Sequence, residues 1–172
     1  MLRKLAYSIL LAISGCASTN APLAVVGSVD LNRYVGTWYE IARFPHRFEK
    51  DLQCVSATYT LREDGRVTVL NKGRSIKDNS LRTAEVVAWT PDPKTSAKLK
   101  VQFFWPFSGN YWILDLDNEY QQVLIGEPGR EYLWILARSK TLDEEVYLRL
   151  VQKASSMGFD TSKLERVSQS CD

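Results

Sequence analysis

Residues 54–71 read CVSATYTLREDGRVTVLN. Val55, Ala57, Tyr59 and Leu61 alternate with Ser56, Thr58, Thr60 and Arg62, the period of a strand with one dry face and one wet face. Asp64 and Gly65 tolerate positive φ, and Val67 and Val69 resume the apolar set beyond them, so the stretch is expected to fold as a hairpin. Working outward, similar short runs occur at 38–44, 83–90, 97–104, 110–116, 120–126 and 132–138, which brings the total to eight. Eight consecutive strands with short connections predict an all-β, antiparallel up-and-down barrel, since closure removes the edges an open sheet would expose. Such a barrel encloses room for one small ligand. The alternative, a two-sheet sandwich, needs a long crossover connection, and none stands in the right place.

After the strands, Thr141-Leu142-Asp143-Glu144 has the form of a capping box opening a helix. Leu142, Val146, Leu150, Val151 and Ala154 form its apolar stripe and Gly158 its terminator. The run 132–138 is apolar on both faces. Tyr132, Trp134 and Leu136 are therefore expected to face the barrel interior, while Leu133, Ile135 and Ala137 are covered by this C-terminal helix on the outside.

At the N-terminus, Arg3 and Lys4 precede an apolar run and then Ile13-Ser14-Gly15-Cys16. The run is too short for a permanent transmembrane helix, which takes about 20 residues. The tetrapeptide resembles the bacterial lipobox, which implies a signal peptide at 1–15, an acylated Cys16 and a lipid anchor. Ala17 rather than Asp after the cysteine implies the outer membrane, with the domain facing the periplasm. The expected organisation is then signal peptide 1–15, lipidated cysteine and flexible tether 16–29, and one domain 30–172. Without residues 1–15 the chain has 20 basic and 20 acidic side chains, which argues against a nucleic-acid partner. With Cys16 acylated, Cys54 and Cys171 remain. In an oxidising compartment a disulfide is the default reading for such a pair.

Gly36-Thr37-Trp38-Tyr39-Glu40-Ile41-Ala42-Arg43 resembles the first signature block of the lipocalin family. Asp117-Asn118-Glu119-Tyr120 is similar to its second block, with Leu116 where the family often has Thr, and Arg138 falls at the end of the eighth run as the third block requires. With the lipobox, the blocks look most like the bacterial lipocalin lipoproteins and the related apolipoprotein D group. The resemblance implies that Gly36, Trp38, Asp117, Tyr120 and Arg138 build the closed end, with the indole as a plug and the guanidinium stacked on it. These residues name the fold rather than the cargo.

Strand parity nominates the cavity lining as Val55, Ala57, Tyr59, Leu61, Val67, Val69, Val87, Trp89, Leu99, Val101, Phe103, Tyr111, Ile113, Val123, Ile125, Tyr132, Trp134 and Leu136. An aliphatic and aromatic lining suits a hydrocarbon chain, so the expected partners are fatty acids, lysophospholipids or phospholipids. In the loop after the first strand, Arg47 and Lys50 are candidates for an anionic headgroup. The aromatic stretch 104–107 is open to three uses, a ligand rim, a membrane-docking tip or a homodimer contact. The single histidine, His46, is expected to be a solvated loop residue. No nucleophile elbow or metal-ligand cluster accompanies it, so neither an enzyme nor a resident cofactor or metal is expected. A haem-type or catalytic lipocalin using His46 and an envelope structural or inhibitor protein are the competing readings.

Overall fold

The computed structural model describes residues 22–104 and 106–171. Asp30 caps a short helix α1, Leu31–Tyr34, its carboxylate accepting from the Asn32 N–H. The strands follow as β1 Gly36–Arg43, β2 Leu52–Leu61, β3 Val67–Ser75, β4 Leu81–Trp89, β5 Lys98–Phe104, β6 Phe107–Leu116, β7 Gln122–Gly126 and β8 Leu133–Ala137. Helix α2, Glu144–Ser156, and a two-residue strand β9, Glu165–Arg166, end the chain. Each of the eight long strands pairs antiparallel with the next, and β1 pairs with both β2 and β8, so the sheet closes into a barrel. The meander puts α1 and the β2–β3, β4–β5 and β6–β7 loops at one end, the floor. The remaining β–β loops form the mouth.

Two apolar cores result. Inside the barrel lie Trp38, Ala57, Tyr59, Val67, Val69, Leu99, Val101, Ile113, Val123, Ile125 and Leu136. Outside it, Leu133, Ile135 and Ala137 of β8 join Ile41, Ala42, Leu114 and Leu124 beneath Tyr147, Leu150 and Ala154 of α2. The two-faced β8 is therefore dry on both sides, as its sequence requires.

The structure corrects several expectations. In β4, Val86 and Ala88 face inward, opposite Val69 and Val67, whereas Val87 and Trp89 point outward and are half-buried. Cross-strand partners share a face, so β3 sets the parity of β4 and its smaller residues go inside. Leu61, at the end of β2, is 38 % exposed, because the hairpin extends past the floor there. Helix α2 is capped by Asp143, whose carboxylate accepts from the Glu145 and Val146 N–H groups, and not by Thr141. Residues 22–29, expected as part of a flexible tether, pack on the barrel: Leu23 and Val29 are buried, and the Val26 N–H donates to the Ile113 carbonyl. Cys16, Trp105 and the side chain of Phe103 lie outside the described residues.

β1 carries a bulge between Glu40 and Ala42. One extra residue inverts the alternation, so Ile41 and Ala42 both join the outer core while Glu40 and Arg43 turn toward each other on the inner side. Beyond Tyr39, β1 and β2 part, and the C-terminal segment fills the gap. There β9 pairs with Ala42 and Arg43, the Cys54 N–H donates to the Ser168 carbonyl, and the Gln169 side-chain amide donates to the carbonyls of Glu40 and Val55. A Cys54–Cys171 disulfide holds the segment in place, with a Cα–Cα distance of 6.2 Å.

Candidate functional site

The floor is made by the signature residues. Trp38 is fully buried and its indole N–H donates to the Tyr34 carbonyl at 2.8 Å. Arg138 places its guanidinium carbon 4.0 Å above the Trp38 ring. Its N–H groups donate to the carbonyls of Arg33, Tyr34, Val35, Thr37 and Tyr120. Gly36 sits at φ +98°, and a Cβ there would come within 3.1 Å of the Arg138 guanidinium. That explains why glycine precedes the tryptophan by two positions. The Asp117 carboxylate accepts from the N–H groups of Glu119, Gln121 and Gln122, fixing the β6–β7 turn, and the Tyr120 hydroxyl accepts from the Asp30 N–H.

Above the floor the nominated lining is largely brought together. Of the residues read from parity, Ala57, Tyr59, Val67, Val69, Leu99, Val101, Ile113, Val123, Ile125 and Leu136 meet in the interior core, and Tyr111 and Trp134 pack against it half-buried. Val55 is buried beside Gly73. Tyr34, Val86, Ala88 and Ala97 also belong to this core. Tyr34 comes from α1, outside the strands to which an alternation reading applies.

The mouth holds a polar cluster for which the sequence reading did not provide. The Arg43 guanidinium donates to the Glu40 carboxylate and to the carbonyls of Glu49 and Leu52. The Trp134 indole N–H donates to Glu49 Oε2 at 3.3 Å. His46 Nε2 stands 2.8 Å from that same oxygen as an ion-pair contact. The His46 side chain is only 7 % exposed, boxed by the rings of Phe48, Tyr132 and Trp134. It is thus a buried element of the mouth and not the solvated loop residue expected. Its Nδ1 has no hydrogen-bond partner among the described residues. Arg47 and Lys50 are exposed, the former stacked on Phe48. Among the described residues, the buried cation at the mouth is Arg43.

Burial raises the pKa of Glu40 well above the ordinary carboxylate range, and the negative charge of Glu49 adds to the effect against the pull of Arg43. Glu49 shifts the other way. Burial opposes its ionisation, but its bonds to His46 and Trp134 and the charges of His46 and Arg43 prevail and lower its pKa. The two carboxyls of the mouth are therefore pushed in opposite directions, Glu40 upward by burial and Glu49 downward by its bonded partners. The signal that could have revealed this cluster is Glu40-x-x-Arg43, two charges inside an otherwise apolar strand. A buried charge is costly unless paired.

A closed eight-stranded antiparallel barrel with an aromatic floor, an apolar interior and a polar mouth is the architecture of the lipocalins. The chain belongs to the lipocalin family: the family model described as "Lipocalin-like domain" matches residues 29–169. It is 45 % identical over 159 residues to the "Outer membrane lipoprotein Blc" of Escherichia coli strain K12, covering 91 % of this chain and 90 % of that one. It is 37 % identical over 142 residues to apolipoprotein D of Macaca fascicularis, covering 78 % of this chain and 74 % of the other. Among solved structures, insecticyanin from the tobacco hornworm Manduca sexta superposes with a TM-score of 0.67 at 24 % identity, covering 90 % of this chain and 86 % of that one. At that identity the likeness concerns the fold.

Proposed function

We propose that this protein is a lipid-binding lipocalin of the bacterial outer membrane, anchored through an acylated Cys16, that stores, scavenges or carries fatty acids, lysophospholipids or related amphiphiles. The observation that carries the reading is the distribution of polarity. The interior core is aliphatic and aromatic, and the charged side chains Glu40, Arg43 and Glu49 gather at the mouth. An elongated amphiphile fits that pattern with its tail inside and its headgroup at the mouth. The name of the Escherichia coli relative supports the outer-membrane assignment.

The test is a binding series of saturated fatty acids and lysophospholipids, read by native mass spectrometry and by the fluorescence of Trp134, an inward and half-buried indole. One molecule should bind per barrel. Affinity should climb with chain length, by about 0.8 kcal/mol per buried CH₂ before ordering costs, and then level off once the interior is full. Ala57→Trp should obstruct the interior and weaken binding. Affinity independent of chain length, combined with a requirement for His46, would instead favour a haem-type or catalytic lipocalin.

A further inference from the structure

Next to the floor the apolar interior carries a layer of phenols. The Tyr111 hydroxyl from β6 lies 2.8 Å from the Tyr34 hydroxyl of α1 and 2.8 Å from the Tyr59 hydroxyl of β2. Tyr34 and Tyr59 are buried, at 2 % and 6 % exposure, whereas Tyr111, which shares both bonds, keeps an accessible face. Burial and the neighbouring phenols raise the pKa of Tyr111 well above its ordinary value, and burial does the same for Tyr34 and Tyr59. All three are therefore neutral O–H groups at physiological pH.

Counting protons gives the consequence. Three hydroxyls hold three protons, and the two bonds between them use two. No other hydrogen bond to these oxygens is made among the described residues. Whichever way the bonds run, one O–H is left with no acceptor among the described residues, and when Tyr34 and Tyr59 both donate to Tyr111 it is the proton of the phenol with the accessible face; such a donor calls for an acceptor from outside the layer. The depth of the layer follows from the register. Tyr59 pairs with Gly36 at the floor end of β1, and Glu40 stands four residues further toward the mouth, about 13 Å along an extended strand. Tyr59 also feels the charges of Glu49 and Glu40 on one side and Arg138 on the other.

We infer that the Tyr34–Tyr111–Tyr59 layer is a recognition point for an oxygen atom on the buried part of the ligand, so that the barrel selects amphiphiles bearing a second oxygen function along the chain. The inference rests on the lipid-binding reading above and adds a substrate class to it: keto- or hydroxy-substituted fatty acyl chains. A carboxyl group inserted headgroup-first presents the same chemistry, and the experiment separates the two sources.

Affinities would be measured for octadecanoate, for octadecanoate carrying a keto group near its middle, and for the hydrocarbon diphenylhexatriene, with the wild type and Tyr111→Phe. The wild type should bind the keto acid at least as tightly as the plain acid, although the keto group is the better solvated in water. Tyr111→Phe should weaken the keto acid about tenfold relative to its effect on the hydrocarbon, with little relative change for the plain acid. An equal relative loss for both acids would support the site and identify the oxygen as a headgroup-first carboxyl. The inference is overturned if all three ligands change alike, or if none changes. It is also overturned, without any variant, if the keto group weakens wild-type binding more than tenfold. If the wild type takes up neither acid, the lipid-binding reading itself fails and this inference fails with it.

Discussion

The floor and the mouth of the barrel each bury an arginine beside a tryptophan, and they treat it differently. At the floor, Arg138 is held by five backbone carbonyls and one indole face. These partners do not titrate. At the mouth, Arg43 faces Glu40 and reaches the carbonyls of Glu49 and Leu52, beside the Glu49 carboxylate that His46 contacts. An arginine satisfied by carbonyls is locked whatever the pH, whereas one set beside two buried carboxyls belongs to a network whose charge depends on the medium. The closed end is built for permanence. The open end carries groups whose ionisation the fold has shifted in both directions.

This contrast can be broken experimentally, and its largest expected effect is at the floor. Trp38→Ala should cost about 3–5 kcal/mol of stability, as for other fully buried aromatics, because it empties the plug and removes the face on which Arg138 rests. Urea denaturation measures it, and a loss below about 1 kcal/mol would show that the floor is not the rigid end.

A smaller effect is expected where the C-terminal segment bridges β1 and β2. Cys171→Ser should cost about 2–4 kcal/mol in the chain-entropy view. The loss should be concentrated near the mouth, with faster hydrogen exchange at the N–H groups of Cys54 and Val167, which bond to Ser168 and Ile41. Uniformly faster exchange, at the floor as well, would mean that the two ends are not independent.

The smallest effect sharpens the comparison through pH. Because the pKa of Glu40 is raised on folding, the folded protein keeps a proton that the unfolded chain releases above the ordinary glutamate value of about 4.3. Stability should therefore fall as pH rises from there through the raised value, by at most about 1.4 kcal/mol per pH unit for one proton. Glu40→Gln should remove that slope. Glu49, with its pKa lowered, contributes the opposite trend at the acid end, where stability is lost as pH falls below the ordinary range. Denaturation midpoints at stepped pH test both, and an unchanged slope in Glu40→Gln would place the titrating group elsewhere.

Whatever depends on short-range geometry is legible in the order of the residues. Alternation along 54–71 identifies strands because successive side chains of extended backbone point to opposite faces, and the Asp64-Gly65 turn follows from local backbone preference. The doubly apolar 132–138 predicts that β8 is covered on both sides. Gly36, Trp38 and Arg138 are recognisable because the floor needs a φ open to glycine, a large ring and a planar cation. The remainder was decided only by tertiary structure. Val86 and Ala88 turn inward because β3 imposes its register on β4, and the bulge after Glu40 turns Arg43 inside. His46 is buried by rings from its own loop and from the adjoining strand β8 and the residue before it, neighbours in space but distant in sequence. Tyr34, Tyr59 and Tyr111 are brought within hydrogen-bonding distance from three separate elements. Parity, burial and proximity of this kind are properties of a residue's partners. A chain read one residue at a time carries the side chains of such a network but not the closure that makes them neighbours.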